Sequence, residues 1–161
     1  MTEKLFHVGV KALIVNEDDK VLVLNVNTAS FKEDTPHWDI PGGRIQEGQT
    51  ALEALQREVQ EETGIDQIEK TEYLAGVISN IEIPVSDTEK VGLVLVVYRV
   101  VIPPNSSIRL SDEHTGYEWV SRAEAAERLR YKYPEEFTKA LWNKLQKHFV
   151  YGIVPLYIVS Y

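Results

Sequence analysis

The segment Gly42–Ile65, GGRIQEGQTALEALQREVQEETGI, constrains the fold more than any other part of the chain. Its two leading glycines follow a proline, and a Pro-Gly-Gly run is a strong turn signal. Thr50 is a suitable helix N-cap, and Glu53 three residues later completes a capping box. Gly64 suits the left-handed residue that follows a helix. The pattern therefore predicts a turn followed by a helix from Thr50 to about Thr63.

Three carboxylates gather on one patch of this predicted helix. At about 100° per residue, Glu58, Glu61 and Glu62 fall within one arc at the edge of the apolar stripe. Arg57 can pair with Glu53 and Glu61. Glu58 and Glu62 face each other with no basic residue in reach along the helix. Because clustered oxygen ligands suit Mg²⁺ or Mn²⁺, the patch is either a solvated acidic face or a metal site.

Apolar periodicity places the remaining elements. We predict an initial hairpin formed by Val8–Ile14 and Val21–Val26, followed by a polar loop at Asn27–Pro36. The apolar stripe of the carboxylate-rich helix is predicted at Leu52, Leu55 and Val59. Further strands are predicted at Trp38–Ile40, Thr71–Ile83, Val91–Ile102 and Gly116–Val120. Two further helices are predicted at residues 121–130 and 134–148. This mixture predicts a single domain over residues 1–161, of α/β or α+β class. The apolar tail Phe149–Tyr161 is expected either to add a strand or to make a homodimer contact.

Charge and composition restrict the partners. The chain has 17 Lys and Arg against 25 Asp and Glu, a net charge of -8, which argues against duplex nucleic acid as a ligand. Phosphate substrates remain possible, because a bound divalent cation inverts the local charge. The absence of cysteine excludes thiolate sites and fits a reducing, cytoplasmic location. The apolar run Leu93–Ile102 is broken by Arg99 and is too short to cross a membrane, so we expect no membrane partner.

The segment resembles the signature of the Nudix hydrolases, G-x5-E-x7-R-E-U-x-E-E-x-G-U, where U is an aliphatic residue. Gly43, Arg57-Glu58-Val59, Glu61-Glu62 and Gly64-Ile65 match this pattern in register. Gln49 stands where the pattern has Glu. A neutral amide can still bind a metal through its oxygen, but it can neither act as a base nor add negative charge. Because this Glu is secondary to the R-E-x-x-E-E core in the family, we expect weakened rather than abolished activity. The resemblance extends over about Phe6–Leu129, most of the chain.

The resemblance implies both a fold and a metal site. The fold would be an α/β/α sandwich with a mixed β-sheet, in which the matching segment forms a loop, a helix and a loop. Carried over by position, Glu58, Glu61 and Glu62 would bind Mg²⁺, or alternatively Mn²⁺, and the Gly43 carbonyl could add another oxygen. Arg57 would orient these carboxylates.

The same resemblance suggests candidates for catalysis and for substrate binding. Many Nudix enzymes place a Glu in the loop that precedes the Gly116–Val120 strand, and Glu113 is our candidate for that role, with His114 as second choice. The alternative is an ordinary polar loop. The candidate catalytic residues are Arg57, Glu61 and Glu113, and the candidate substrate-binding residues are Trp38, Gly42, Arg44 and Gln49.

The resemblance implies hydrolysis of a nucleoside diphosphate linked to another moiety, by attack of water on phosphorus with Mg²⁺ as cofactor. We expect a small-molecule nucleotide as substrate, and a (deoxy)nucleoside triphosphate first, because the chain is a compact single domain. ADP-ribose or a nucleotide sugar is the second substrate class. The alternative from a different class is a non-catalytic nucleotide-sensing module, of which Gln49 would be the first sign.

Overall fold

The computed structural model describes residues 3–31 and 35–143, without the side chains of residues 30 and 31. The predicted end of the last helix and the tail Phe149–Tyr161 lie outside the described residues. The strands are β1 Phe6–Ile14, β2 Val21–Val26, β3 Trp38–Asp39, β4 Lys70–Ile78, β5 Ile83–Pro84, β6 Lys90–Val101 and β7 His114–Val120. The helices are α1 Thr28–Phe31, α2 Ala51–Thr63, α3 Arg122–Arg128 and α4 Glu135–Trp142, with a 3-10 turn at Leu129–Tyr131 between the last two.

The strands form two hydrogen-bonded sheets. In the first, β6 lies between β1 and β4, and β5 also pairs with β6. The β1–β6 pair is parallel, whereas β4 and β5 run antiparallel to β6. In the second sheet, β2 lies between β3 and β7, and both pairs are antiparallel. The first sheet is therefore mixed, because it combines a parallel pair with antiparallel neighbours.

Alternate residues of the strands divide the core between two helical layers. On β1, Val10, Ala12 and Ile14 pack with the buried residues of α2, which include Leu55 and Val59. The intervening Leu13 packs with the opposite cluster, which contains the buried residues of α3, the 3-10 turn and α4. The predicted α/β/α sandwich with a mixed β-sheet is confirmed by this layering and by the sheet pairing.

Four local predictions need correction. The predicted initial hairpin is wrong, because β1 and β2 lie in different sheets; an isolated bridge pairs Val15, just after β1, with Val21. The predicted loop after β2 contains the short helix α1. The strand predicted to reach Ile83 ends at Ile78, and Ile83 belongs to β5. Leu52 does not join the buried stripe of α2, since 51% of it is exposed.

Within the described part of the chain, no helix is long and apolar enough to cross a membrane.

Candidate active site

Helix α2 begins and ends at residues that satisfy its free backbone groups. The Thr50 hydroxyl accepts a hydrogen bond from the Glu53 N–H at 3.3 Å, and the Glu53 carboxylate accepts one from the Thr50 N–H at 2.8 Å. Gly64 ends the helix with a φ of 71°, a left-handed conformation that glycine adopts without strain. The predicted capping box and terminal glycine are both present, and they fix the carboxylate-bearing turns of the helix between them.

The glycine-rich turn before α2 is held along the free edge of β1. The N–H groups of Ala12 and Val10 donate to the carbonyls of Pro41 and Gly43 at 2.7 and 2.8 Å. Gly42 has a φ of 136°, and a Cβ added there would lie 2.1 Å from a backbone oxygen of Val10. Only glycine permits this approach, so the turn packs its backbone directly onto the strand.

The carboxylate of Glu58 lies against this turn. A Cβ added at Gly43 would come within 2.4 Å of Glu58 Oε1, so the absent side chain leaves the space that the carboxylate fills. Arg57 Nη1 contacts Glu58 Oε1 at 2.7 Å and Glu61 Oε2 at 3.0 Å. Arg57 Nη2 also donates to Gln49 Oε1 at 3.4 Å. Arg57 thus links Glu58 and Glu61, as predicted for Glu61, whereas its predicted partner Glu53 is engaged in the capping box. The expectation that no basic residue reaches Glu58 is wrong, because Arg57 pairs with it directly.

Glu62 points from α2 into the protein interior. Its Oε2 accepts the N–H of Gly42 at 2.7 Å, and its Oε1 lies 4.0 Å from Nε2 of the buried His114. Burial raises the pKa of Glu62 to about 8, against the opposing effects of the Lys11 charge and the Gly42 N–H. Burial, together with the positive charge of Lys11, lowers the pKa of His114 to about 4. The imidazole is therefore neutral at pH 7, and its buried Nδ1 has no hydrogen-bond partner among the described residues.

The loop that carries Glu113 reaches the same end of α2. The Ser111 N–H donates to the Glu62 carbonyl at 3.4 Å, which brings the residues before β7 beside the helix. The Glu113 carbonyl accepts the Asn27 N–H at 2.8 Å, and its side chain is exposed. In this arrangement His114, the second choice, lies beside the Glu62 carboxylate, whereas Glu113 is exposed.

A family model for the NUDIX domain matches residues 5–141. The chain belongs to the Nudix family. A MutT-like protein of Streptomyces ambofaciens is 32% identical over 137 residues, which cover 85% of this chain and 78% of that protein. The crystal structure of a MutT protein from Methanosarcina mazei Go1 has 28% identity and a TM-score of 0.69, and the match covers 91% of this chain and 100% of that one.

A third relative matches this chain over a shorter stretch. An 8-oxo-dGDP phosphatase of Mus musculus is 41% identical over 56 residues, which cover 35% of this chain and only 16% of that protein. The family match, together with relatives named as phosphatases, shows that this chain is a Nudix hydrolase. The alternative of a non-catalytic module is disfavoured accordingly.

The donors of the Nudix helix fit a hard divalent cation in their chemistry. Glu58, Glu61 and Glu62 offer only oxygen, and the absence of a Cβ at Gly43 lets the Glu58 carboxylate lie against the backbone there. Across residues 3–31 and 35–143, however, no three Asp, Glu or His side chains stand as a ready-made metal cluster. In the structure Arg57 pairs with Glu58 and Glu61, while the Glu62 carboxylate accepts the Gly42 N–H.

The predicted substrate-binding residues of the Nudix domain lie in different surroundings. Gly42 and Gln49 belong to the network around α2, as described above. Arg44 is exposed, and its carbonyl accepts a hydrogen bond from Arg57 at 3.2 Å. Trp38 is half-buried on the other side of the sheet, where the Arg128 guanidinium stacks 4.3 Å from its ring centroid. Trp38 therefore packs partly against the core rather than standing free.

A buried polar network beneath the turn was not foreseen from the sequence. The carboxylate of Asp39 accepts hydrogen bonds from Lys11 at 2.7 Å, from the Tyr133 hydroxyl at 2.7 Å, and from Lys132. Burial alone would raise the pKa of Asp39, but the charges of the two lysines hold it well below its usual range. The available signal was a lysine in the middle of an apolar strand, in the run Val8–Ile14.

Proposed function

We propose that this Nudix hydrolase is a Mg²⁺-dependent pyrophosphohydrolase that cleaves a nucleoside diphosphate linked to another moiety. The observation that carries the proposal is the seating of the Glu58 carboxylate against Gly43, with Glu62 bonded to the neighbouring Gly42 N–H at 2.7 Å. Carboxylates from one helix thereby meet a backbone turn that a phosphate or a cation can approach closely. Mn²⁺ would suit the same all-oxygen donors.

The residues divide the chemistry between them. Mg²⁺, when bound, neutralises pyrophosphate charge and lowers the pKa of water. Glu58, Glu61, Glu62 and the Gly43 carbonyl would hold it, and Arg57 would keep Glu58 and Glu61 in place through its two ion pairs. The oxygen of water attacks phosphorus, the anhydride P–O bond breaks, and the released phosphate group leaves with the bond's electron pair.

The proton of the attacking water needs a carboxylate to accept it. Glu61 is our candidate because its side chain is 58% exposed and so remains accessible to solvent beside Arg57. Glu113 is the second candidate, since its side chain is exposed and it lies two residues after Ser111, whose N–H contacts the Glu62 carbonyl.

The substrate class we propose is a (deoxy)nucleoside triphosphate, with ADP-ribose or a nucleotide sugar as the second class. The partial match to an 8-oxo-dGDP phosphatase supports including oxidised guanine nucleotides among the candidates. The surplus of acidic residues supports a small-molecule substrate rather than duplex nucleic acid. The cytoplasmic location and the homodimer stay predictions.

A substrate panel with and without Mg²⁺ tests the proposal. It comprises nucleoside triphosphates, 8-oxo-dGTP, 8-oxo-dGDP, ADP-ribose and sugar nucleotides, with products separated by ion-exchange chromatography. Hydrolysis in ¹⁸O-labelled water identifies the attacked phosphorus by mass spectrometry. We expect Mg²⁺-dependent cleavage of at least one triphosphate. Absence of turnover on every member, with either Mg²⁺ or Mn²⁺, would reject the proposal.

Matched carboxylate variants distinguish the loss of a proposed site residue from the loss of one negative charge elsewhere on the protein. Glu58→Gln and Glu61→Gln each remove one charge from the proposed metal ligands, and we expect kcat to fall by about 10²–10⁴-fold. Glu47→Gln removes one charge from an exposed residue of the preceding loop and should leave kcat unchanged. Equal losses in all three variants would show that net charge, rather than the patch, is responsible.

A further inference from the structure

Lys11 is a charged residue in the middle of a buried strand. Only 3% of it is exposed, yet its ammonium group has three acceptors. It donates to Asp39 Oδ2 at 2.7 Å, to the Ile40 carbonyl at 3.1 Å, and to the Gly42 carbonyl. An ammonium group has three protons, so this set satisfies it completely.

The ammonium group stays charged in this position. Burial lowers the pKa of Lys11, but the nearby charges of Asp39, Glu62 and Glu58 outweigh it and leave the pKa above its ordinary value. A buried charge is tolerated only when it is paired and hydrogen-bonded, and Asp39 supplies the pairing. The other two ammonium protons are satisfied by the Ile40 and Gly42 carbonyls. The hydrogen bonds that make the burial of Lys11 tolerable therefore also tie it to the backbone of the turn.

Those two carbonyls flank Pro41 at the start of the glycine-rich turn. The next peptide groups are the ones that meet the candidate ligands. The Gly42 N–H donates to Glu62, and Gly43 lies against the Glu58 carboxylate. Lys11 thus bonds carbonyl groups of the turn, while Glu62 and Glu58 contact its two glycines.

We propose that Lys11 is a positioning residue for the hydrolytic site. By fixing the Ile40 and Gly42 carbonyls, it holds the turn at the place where Glu58 and Glu62 reach it. The consequence of this positioning for catalysis rests on the proposed function. The effect of Lys11 on the turn does not, because the hydrogen bonds to the turn exist in the protein without substrate.

Lys132 provides a matched control. Its ammonium group also contacts Asp39 Oδ2, and only 13% of its side chain is exposed. Unlike Lys11, it has no hydrogen bond from its ammonium group to the turn among the described residues. Lys11→Met and Lys132→Met therefore remove the same charge from the same carboxylate, but only the first removes the contacts to the turn. In Lys11→Met, Asp39 keeps Lys132, Tyr133 and the Ile40 N–H as donors, so we expect the variant to fold.

The first readout is amide hydrogen exchange by NMR in the absence of metal and substrate. We expect the Gly42 N–H to exchange about tenfold faster or more in Lys11→Met, relative to the Leu95 amide in the core, and to be unchanged in Lys132→Met. The second readout is Mn²⁺ binding by EPR. There we expect the Kd to rise about tenfold or more in Lys11→Met only, the usual size of an effect on ligand orientation.

Steady-state kinetics add a third readout, in which Lys11→Met should lower kcat more than it raises KM. Equal changes in both lysine variants, or wild-type exchange and Mn²⁺ affinity in Lys11→Met, would overturn the proposal. If Lys11→Met does not fold, the triple variant Lys11→Met/Asp39→Asn/Lys132→Met removes all three buried charges together. Wild-type exchange and affinity in that protein would overturn it too. If the wild type hydrolyses none of the panel, the proposed function fails while exchange and Mn²⁺ binding still decide the role of Lys11.

Discussion

A side chain at residue 43 would collide with the carboxylate of Glu58. Gly43→Ala should therefore displace Glu58 and weaken Mn²⁺ binding by about tenfold or more, with the fold retained. Calorimetric titration with Mn²⁺ measures the affinity, and circular dichroism checks the fold. Gly116→Ala is the control, because a Cβ there meets nothing within 4 Å. Unchanged Mn²⁺ affinity in Gly43→Ala would show that Glu58 does not need its present position to bind the ion.

Gln49 is tied to the same arginine as the candidate ligands. Its Oε1 lies 3.4 Å from Arg57 Nη2 and accepts the Gln46 N–H at 3.2 Å. In Gln49→Glu, a carboxylate keeps both acceptor positions and adds a charge partner for Arg57. We expect kcat at saturating Mg²⁺ to rise by up to about fivefold, the size of a partly exposed charge pair. Lower activity than wild type would contradict the view that Gln49 weakens the site.

At the scale of elements, the capping box stabilises the start of α2, the helix that carries the candidate metal ligands. Thr50→Ala removes the acceptor of the Glu53 N–H and one donor to the Glu53 carboxylate, so the free energy of unfolding should fall by about 1 kcal/mol. Urea denaturation followed by circular dichroism measures it. Thr50→Ser keeps the hydroxyl and should remain close to wild type. Equal losses in both variants would show that the methyl group, and not the cap, matters.

Elements with local signals were predicted well, and elements that depend on distant partners were not. The start and end of α2 follow from Thr50 and Gly64, residues that act on their own neighbours. Strand partners cannot be identified in this way. The turn between β1 and β2 resembles a hairpin loop, but β1 finds its hydrogen-bond partner in β6, far along the chain. The resemblance to the Nudix pattern supplied the sandwich that periodicity alone did not.

At the scale of the whole molecule, the same limit applies to buried polar groups. Lys11 interrupts an apolar strand, but nothing near Lys11 or Asp39 in the sequence identifies the partner of either residue. The fold brings them together with Lys132 and Tyr133, which lie at the far end of the described chain. The network therefore joins β1, the glycine-rich turn and the layer of α3 and α4, three parts that the sequence leaves unconnected.

This connection makes Asp39 a determinant of global stability with a defined pH dependence. The pKa of Asp39 in the folded protein lies well below its ordinary value of 3.8, because the two lysine charges outweigh the effect of burial. Its contribution to stability is therefore present above about pH 4 and is lost as the pH falls below that value. Asp39→Asn leaves Lys11 and Lys132 buried without their counter-charge. We expect the free energy of unfolding at pH 7 to fall by about 3 kcal/mol.

Urea denaturation at several pH values between 3 and 7 measures this difference directly. The difference in free energy of unfolding between wild type and Asp39→Asn should be constant from pH 7 to about pH 5. It should become smaller below about pH 4, because Asp39 of the unfolded wild type then begins to bind a proton and this favours unfolding. Asp87→Asn, at an exposed loop residue, should follow the wild-type curve throughout. A gap that stays constant down to pH 3 would mean that the hydrogen bonds of Asp39, and not its charge, join the three parts of the molecule.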